Sequence, residues 1–309
     1  MTTSPQPYEI RPLSEGDVVA QELPTPAPDQ DQPRGRRTVA AVSRETVIGF
    51  ATMTWAAVTE QYFCEVSVAT AHRRRGVGTR LFDAVRELAD PGFPIVARAM
   101  NSAPHRRAFA DSLGCSVLVH CPMPRIDPTA LSVRDWMARQ GVLVGCVIRA
   151  TAEADGDQLQ AAWVSSYLWV HEPFAAVHTE RLVEQWTRQR GVFDPQASRA
   201  CLDEATGQIL ALSLVALDAW DGHNLLVAET VRRDQPDGDA ILAATVAASI
   251  SELARRGVDR VEFEGHATDA HTPTLFEILP TSGADPMDIL ELSGRSGEPS
   301  RRSAAAGTS

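Results

Sequence analysis

Val66-Ser67-Val68-Ala69-Thr70-Ala71-His72-Arg73-Arg74-Arg75-Gly76-Val77-Gly78-Thr79-Arg80-Leu81 is the stretch on which the fold of this chain turns. It begins with a β-branched run suited to a strand. It passes through a loop of three arginines and a glycine, then opens into a segment with Val77, Leu81, Val85 and Leu88 at helical spacing, and Phe82 alongside. That spacing predicts an amphipathic helix from Gly76 to Ala89. The first-turn amides of a helix lack internal acceptors and sit at the positive end of its dipole, so together they make an anion site. Gly76 and Gly78 carry no Cβ and let the backbone approach a diphosphate. Arg73, Arg74, Arg75 and His72 add attraction for phosphate. A Gly-x-Gly pair alone says little; the strand before it and the helix after it give it weight.

Upstream of this stretch, Tyr8 to Leu13 reads as an edge strand. Residues 24–37 are rich in Pro, Asp, Gln and Arg and read as a loop. Thr38 to Val42, Thr46 to Trp55 and Val58 to Val68 then predict an antiparallel meander. Downstream, Ile95 to Ala99 is a buried-type strand. A helix starts near Ser102-Ala103-Pro104 and stops at Gly114, and Ser116 to Val119 is another strand. Residues 121–141, with a short helix from Pro128 to Arg139, read as a connector. A similar order then recurs: strand Val144–Ala150, two helices, a hairpin around Thr206-Gly207, strand Leu225–Val231, a long helix closed at Gly257, strand Val258–Glu264, and a short helix near Pro273 to Leu279. The expected organisation is therefore a domain at 1–122, a linker at 123–141, a second domain at 142–292 and a disordered tail at 293–309. The fold class is mixed α/β (α+β) with an internal duplication.

Residues 73–78 match Arg/Gln-x-x-Gly-x-Gly/Ala, the acyl-CoA diphosphate loop of the GNAT acyltransferases, and Asn101 to Gly114 resembles that family's next motif, an Asn and then a helix ending in Leu-Gly. The resemblance covers most of residues 8–120. Gln235-Pro236-Asp237-Gly238-Asp239-Ala240 looks like a diverged second copy of the loop. The resemblance implies two tandem GNAT-like domains, each a mixed, mostly antiparallel sheet flanked by helices. It implies an enzyme that moves an acyl group, acetyl foremost, from CoA to a primary amine of a small molecule or peptide by direct attack. The donor site it implies comprises Val66, Ser67, Val68, Arg73, Arg74, Arg75, Gly76, Val77, Gly78, Thr79, Asn101 and Arg106. Asp234, Asp237 and Asp239 surround the second loop, and carboxylates repel phosphate, so the first half is expected to be the one that binds CoA.

The acid and base are less plainly written. Family members often carry a Tyr acid in the last motif; that position is Ala110 here, beside Phe109, and Phe276 in the second half. The base often lies on the strand before the loop. Parity with Val68 places Tyr62, Cys64 and Val66 on one face, with Glu60 further along; Tyr62, Glu60 and Cys64 are the catalytic candidates. His105, His120 and, in the second half, Glu229 and His171-Glu172 are alternatives. Trp163, Tyr167, Trp169 and Trp186 suit a core. A non-catalytic acyl-CoA sensor, or an acyltransferase with a larger thioester or an aminoacyl donor, fits the same loop.

Composition bounds these readings. The 309 residues are 44% hydrophobic and carry a net charge of −11, which argues against broad nucleic-acid binding. Every basic residue among the 29 is Arg. No apolar run suits a bilayer and no signal core stands at the N-terminus, so a cytoplasmic protein, monomer or homodimer, is expected. The five cysteines show no metal-ligand spacing, so neither a metal nor disulfides are expected.

Overall fold

A computed structural model describes residues 8–26, 29–30, 34–218 and 223–292. The expected tail at 293–309 lies outside them. In chain order the elements are β1 (Glu9–Pro12), β2 (Val18–Val19), β3 (Arg37–Ser43), β4 (Thr46–Ala56), β5 (Gln61–Val68), α1 (Val77–Arg86), β6 (Ile95–Met100), α2 (Pro104–Ser112), β7 (Cys115–Cys121), β8 (Pro124–Ile126), α3 (Leu131–Arg139), β9 (Cys146–Ala150), α4 (Gly156–His171), α5 (Thr179–Gln189), β10 (Arg199–Asp203), β11 (Ile209–Ala216), β12 (Leu225–Thr230), α6 (Gly238–Arg255), β13 (Val261–Glu264), α7 (Thr272–Ile278), β14 (Gly283–Ala284) and β15 (Met287–Leu292). No helix among the described residues is long and apolar enough to cross a membrane.

The chain forms two units, each around its own mixed sheet. The first sheet runs β1-β3-β4-β5-β6-β15-β7, with β2 paired to β4. The meander β3-β4-β5 is antiparallel, as its β-branched and aromatic runs broken by turn residues predict, and β5 meets β6 in parallel. The expected strand from Val58 starts only at Gln61, because residues 57–60 turn and Glu60 takes a positive φ of 45°. The second sheet runs β14-β8-β13-β12-β11-β10-β9.

Two features depart from the expected organisation. The stretch at 123–141 holds β8 and α3, with Ile126, Val133 and Trp136 buried in the second core, so it is structured chain. β15, which the sequence reading left without an element, is a strand of the first sheet. Among the described residues, the first unit accordingly takes in 8–99, 105–117 and 289–292, and the second 100–104 and 118–288. The segment Met287–Leu292 is mostly apolar, but nothing in it says which sheet it joins.

The first core explains where the loop sits. Val77, Leu81, Phe82 and Val85 of α1 are buried against β-strand residues such as Ile48, Ala51 and Cys64. Each large apolar side chain so buried contributes about 1.5–3 kcal/mol. That face fixes the roll of α1 and sets where its first turn points. None of the five cysteines is in a disulfide.

Candidate functional site

β5 and β6 pair only at Tyr62–Ile95 and Phe63–Val96. Beyond those pairs the strands part, and a cavity of about 510 Å³ fills the wedge, lined by Cys64 to Val68 on one side and Ala97 to Ala99 on the other. Strand edges that do not pair with each other leave backbone N–H and C=O groups for a ligand that carries amides. Gly76, Gly78 and Thr79 close one end of the cavity with Arg73, Arg74 and Arg106, and Phe109, Leu290 and Leu292 belong to its wall.

The start of α1 has the form an anion needs. Gly76 is its N-cap at φ 79°, ψ −1°, a left-handed conformation that L side chains rarely adopt, and no side chain caps the helix. Nothing lies within 4 Å of where a Cβ on Gly76 would be, so the space above the turn is open. Gly78 serves a close approach instead: a Cβ there would stand 3.3 Å from the Phe109 ring and 3.7 Å from Val66. The loop is held from below, where Arg73 Nε donates to Val68 O at 2.9 Å and Thr70 N donates to Glu22 Oε1 at 3.0 Å. The Thr70 hydroxyl and amide hold the Glu22 carboxyl below its usual pKa range. His105 at the start of α2 is shifted down by partial burial and by Arg73 and Arg106, which leaves it neutral at pH 7.

Of the expected donor residues, Val66, Ser67, Val68, Arg73, Arg74, Gly76, Gly78, Thr79 and Arg106 line this cavity. Arg75, Val77 and Asn101 do not; Val77 is buried in the core, and the Asn101 amide donates to Pro286 O at 2.7 Å. Of the catalytic candidates only Cys64 reaches the cavity. Burial pushes its thiol up to about 12, so it stays protonated. Tyr62 is a core residue: its ring packs on Trp55 at 4.8 Å and its hydroxyl accepts from Asp90 N at 3.4 Å. Glu60 sits in the turn before β5 and is absent from the cavity wall. These two placements correct the parity argument, which fixes a face of the strand but not how far along it the cavity extends. His120 pairs with Asp288 at 2.7 Å and is not among the residues that line this cavity. Glu22, Leu290 and Leu292 are wall residues that the sequence did not point to, since they come from a Pro-rich loop and from the distant strand β15.

The second loop is built differently. Asp237, not a glycine, takes the left-handed position, at φ 53°. The His271 ring lies over the start of α6, with Nδ1 2.8 Å from Asp239 Oδ1 and Nε2 3.2 Å from Arg233 O. A Cβ on Gly238 would stand 2.5 Å from that ring. Nearby, Glu229 is buried and its carboxyl is raised well above its usual range, by burial first and then by its hydrogen bond to Asp269. Asp269 is in turn bonded by the His271 and Thr272 amides and the Thr272 hydroxyl. His171 stacks on Tyr167, and burial pushes it down to about 3. The second unit also contains a larger cavity, about 680 Å³, bounded by Leu168, Trp169, Val177 and Arg232 among others. The α6 start does not line it, so size alone does not make it the anion site. Among the described residues no cluster of His, Cys, Asp and Glu could hold a metal ion.

Comparison with known proteins agrees with this geometry. Residues 6–114 match the model of the acetyltransferase (GNAT) family. A mycothiol acetyltransferase of Clavibacter sepedonicus is 27% identical over 217 residues, 68% of this chain and 66% of that protein, so the match spans just under two thirds of the relative's length. A GCN5-related N-acetyltransferase from Sphaerobacter thermophilus superposes with a TM-score of 0.60 at 17% identity, over 82% of this chain and 80% of that one. A tandem GNAT protein from the clavulanic acid biosynthesis pathway superposes with a TM-score of 0.57 at 18% identity, over 83% and 82%. At such identities the two structures speak for the fold.

Proposed function

We propose that this chain, whose residues 6–114 match the model of the acetyltransferase (GNAT) family, is through its first unit an acyl-CoA-dependent N-acyltransferase acting on the primary amine of a small molecule or peptide. The observation that carries this is the uncapped start of α1, open above Gly76 and opening into the wedge between β5 and β6. The donor diphosphate would rest on the first-turn amides of α1 with Arg73, Arg74 and Arg106 around it. The amide-bearing arm would run along the parted edges of β5 and β6. Acetyl-CoA is the donor that the family suggests.

The chemistry asks little of the wall. An amine nitrogen attacks the thioester carbonyl, a C–N bond forms, the C–S bond breaks, and CoA leaves as the thiol with the proton the amine gives up. A free alkylamine, with a pKa near 10, must first lose its ammonium proton. His105 is neutral, but it stands beside Arg73 and Arg106 at the phosphate end. Cys64 holds its proton too tightly to act as an acid for the leaving thiolate. Holding donor and acceptor in line then supplies most of the rate.

A second reading, a non-catalytic acyl-CoA sensor, draws on one specific observation: Ala110 occupies the wall position where the family's acid is expected. Release of thiol from acetyl-CoA across a panel of primary amines separates the two. Turnover with any amine supports the enzyme. Binding with none supports the sensor, and no binding removes both.

A further inference from the structure

The wall of the first unit's cavity is not uniform. Of its charged members, Arg73, Arg74 and Arg106 belong to the loop before α1 and to α2, while Glu22, Glu65 and Arg98 line it elsewhere. Cys64, Ala99, Ala110, Leu113, Leu290 and Leu292 also line it, and every one is a buried member of the first hydrophobic core. Leu290 is 0% exposed and Leu113 1%. Cys64 lies four residues up β5 from Val68, where the loop begins, which is about 13 Å at the rise of a strand. The cavity therefore joins a polar seat to an apolar inner wall.

An amide-bearing arm finds partners on the strand edges, and Glu65, Arg98 and Ser112 line the cavity with exposed side chains, but its buried side chains offer only carbon and a protonated thiol. A polar amine acceptor finds no buried side-chain partner there, and burying it unpaired would be costly. Alanines at 97, 99, 108 and 110 present single methyl groups to the cavity, where larger side chains would fill it. A bare acetyl group would leave much of that surface without a contact.

We propose that the inner wall is an acyl-chain pocket, and that the preferred donor is an aliphatic acyl-CoA longer than acetyl. The proposal rests on the donor seat described under Proposed function and names the acyl group it takes. Chain length is set by how deep the methylenes reach toward Leu113, Leu290 and Leu292, with Ala99 and Ala110 as the residues that leave room.

Calorimetric titration of the full chain with free CoA, acetyl-CoA, butyryl-CoA and hexanoyl-CoA tests this. Burying a methylene gains about fourfold in affinity, so butyryl-CoA is expected to bind tighter than acetyl-CoA by roughly tenfold or more. Ala110→Phe, or Ala99→Leu in its place, should bring the butyryl-to-acetyl ratio down toward one. Acetyl-CoA binding as tightly as butyryl-CoA in the unaltered chain overturns the acyl pocket and leaves the donor seat standing. Failure of free CoA and every thioester to bind overturns both.

Discussion

Glu229 shows how one side chain can set a pH dependence for the whole chain. Its carboxyl is buried, bonded to Asp269, and raised well above the ordinary 4.5. In the unfolded chain it ionises near that ordinary value. Above about pH 4.5 the folded protein therefore holds a proton that the unfolded chain has released, and stability falls as pH rises toward the folded pKa. Glu229→Gln removes this penalty while still offering Asp269 a donor. Its thermal midpoint should exceed that of the unaltered protein at pH 8, by a margin that shrinks toward pH 4.5; a constant difference across that range would contradict the assignment. At this scale the sequence spoke unevenly. Gly76 and Gly78 were legible because a left-handed turn and a close approach each demand glycine. Tyr62 lies where β5 and β6 still pair, and alternation along β5 does not say where the two strands part.

At the scale of elements, α1 joins fold to site. Its apolar face was legible from spacing alone: Val77, Leu81, Phe82 and Val85 are all buried. Leu81→Ala should cost about 2–5 kcal/mol of stability, since Leu81 is 0% exposed in a packed core. Denaturant unfolding would measure this, and a cost below 1 kcal/mol would mean that the helix is not anchored as described. The meander β3-β4-β5 was equally readable from its β-branched and aromatic runs and the turn residues between them. β15 was not, because strand pairing between distant segments leaves no local mark, and so Leu290 and Leu292 entered the cavity wall unforeseen. In the stretch at 123–141 the prolines suggest a linker and the spacing a short helix; the helix is there as α3, and its Trp136, at 1% exposure, packs into the second core.

At the scale of the whole molecule, the two units carry the same kind of loop with different contents. The first presents an open helix start with arginines around it; the second presents Asp237, Asp239 and the His271 ring over Gly238. One CoA per chain is expected in calorimetric titration, and a stoichiometry of two would show that His271 yields its place. The net charge of −11 makes the basic cluster of Arg73, Arg74 and Arg106 a local exception, suited to a small anion more than to a polyanion.

The central claim is that a diphosphate rests on the first-turn amides of α1. Titration of CoA into the unaltered chain and into the doubly substituted Arg73→Glu, Gly76→Asp chain tests it most directly. Reversing charge at the seat and placing a carboxylate in the open space above the turn should weaken binding by about a hundredfold or more, with the fold intact by circular dichroism. CoA bound equally well by both proteins would contradict the account.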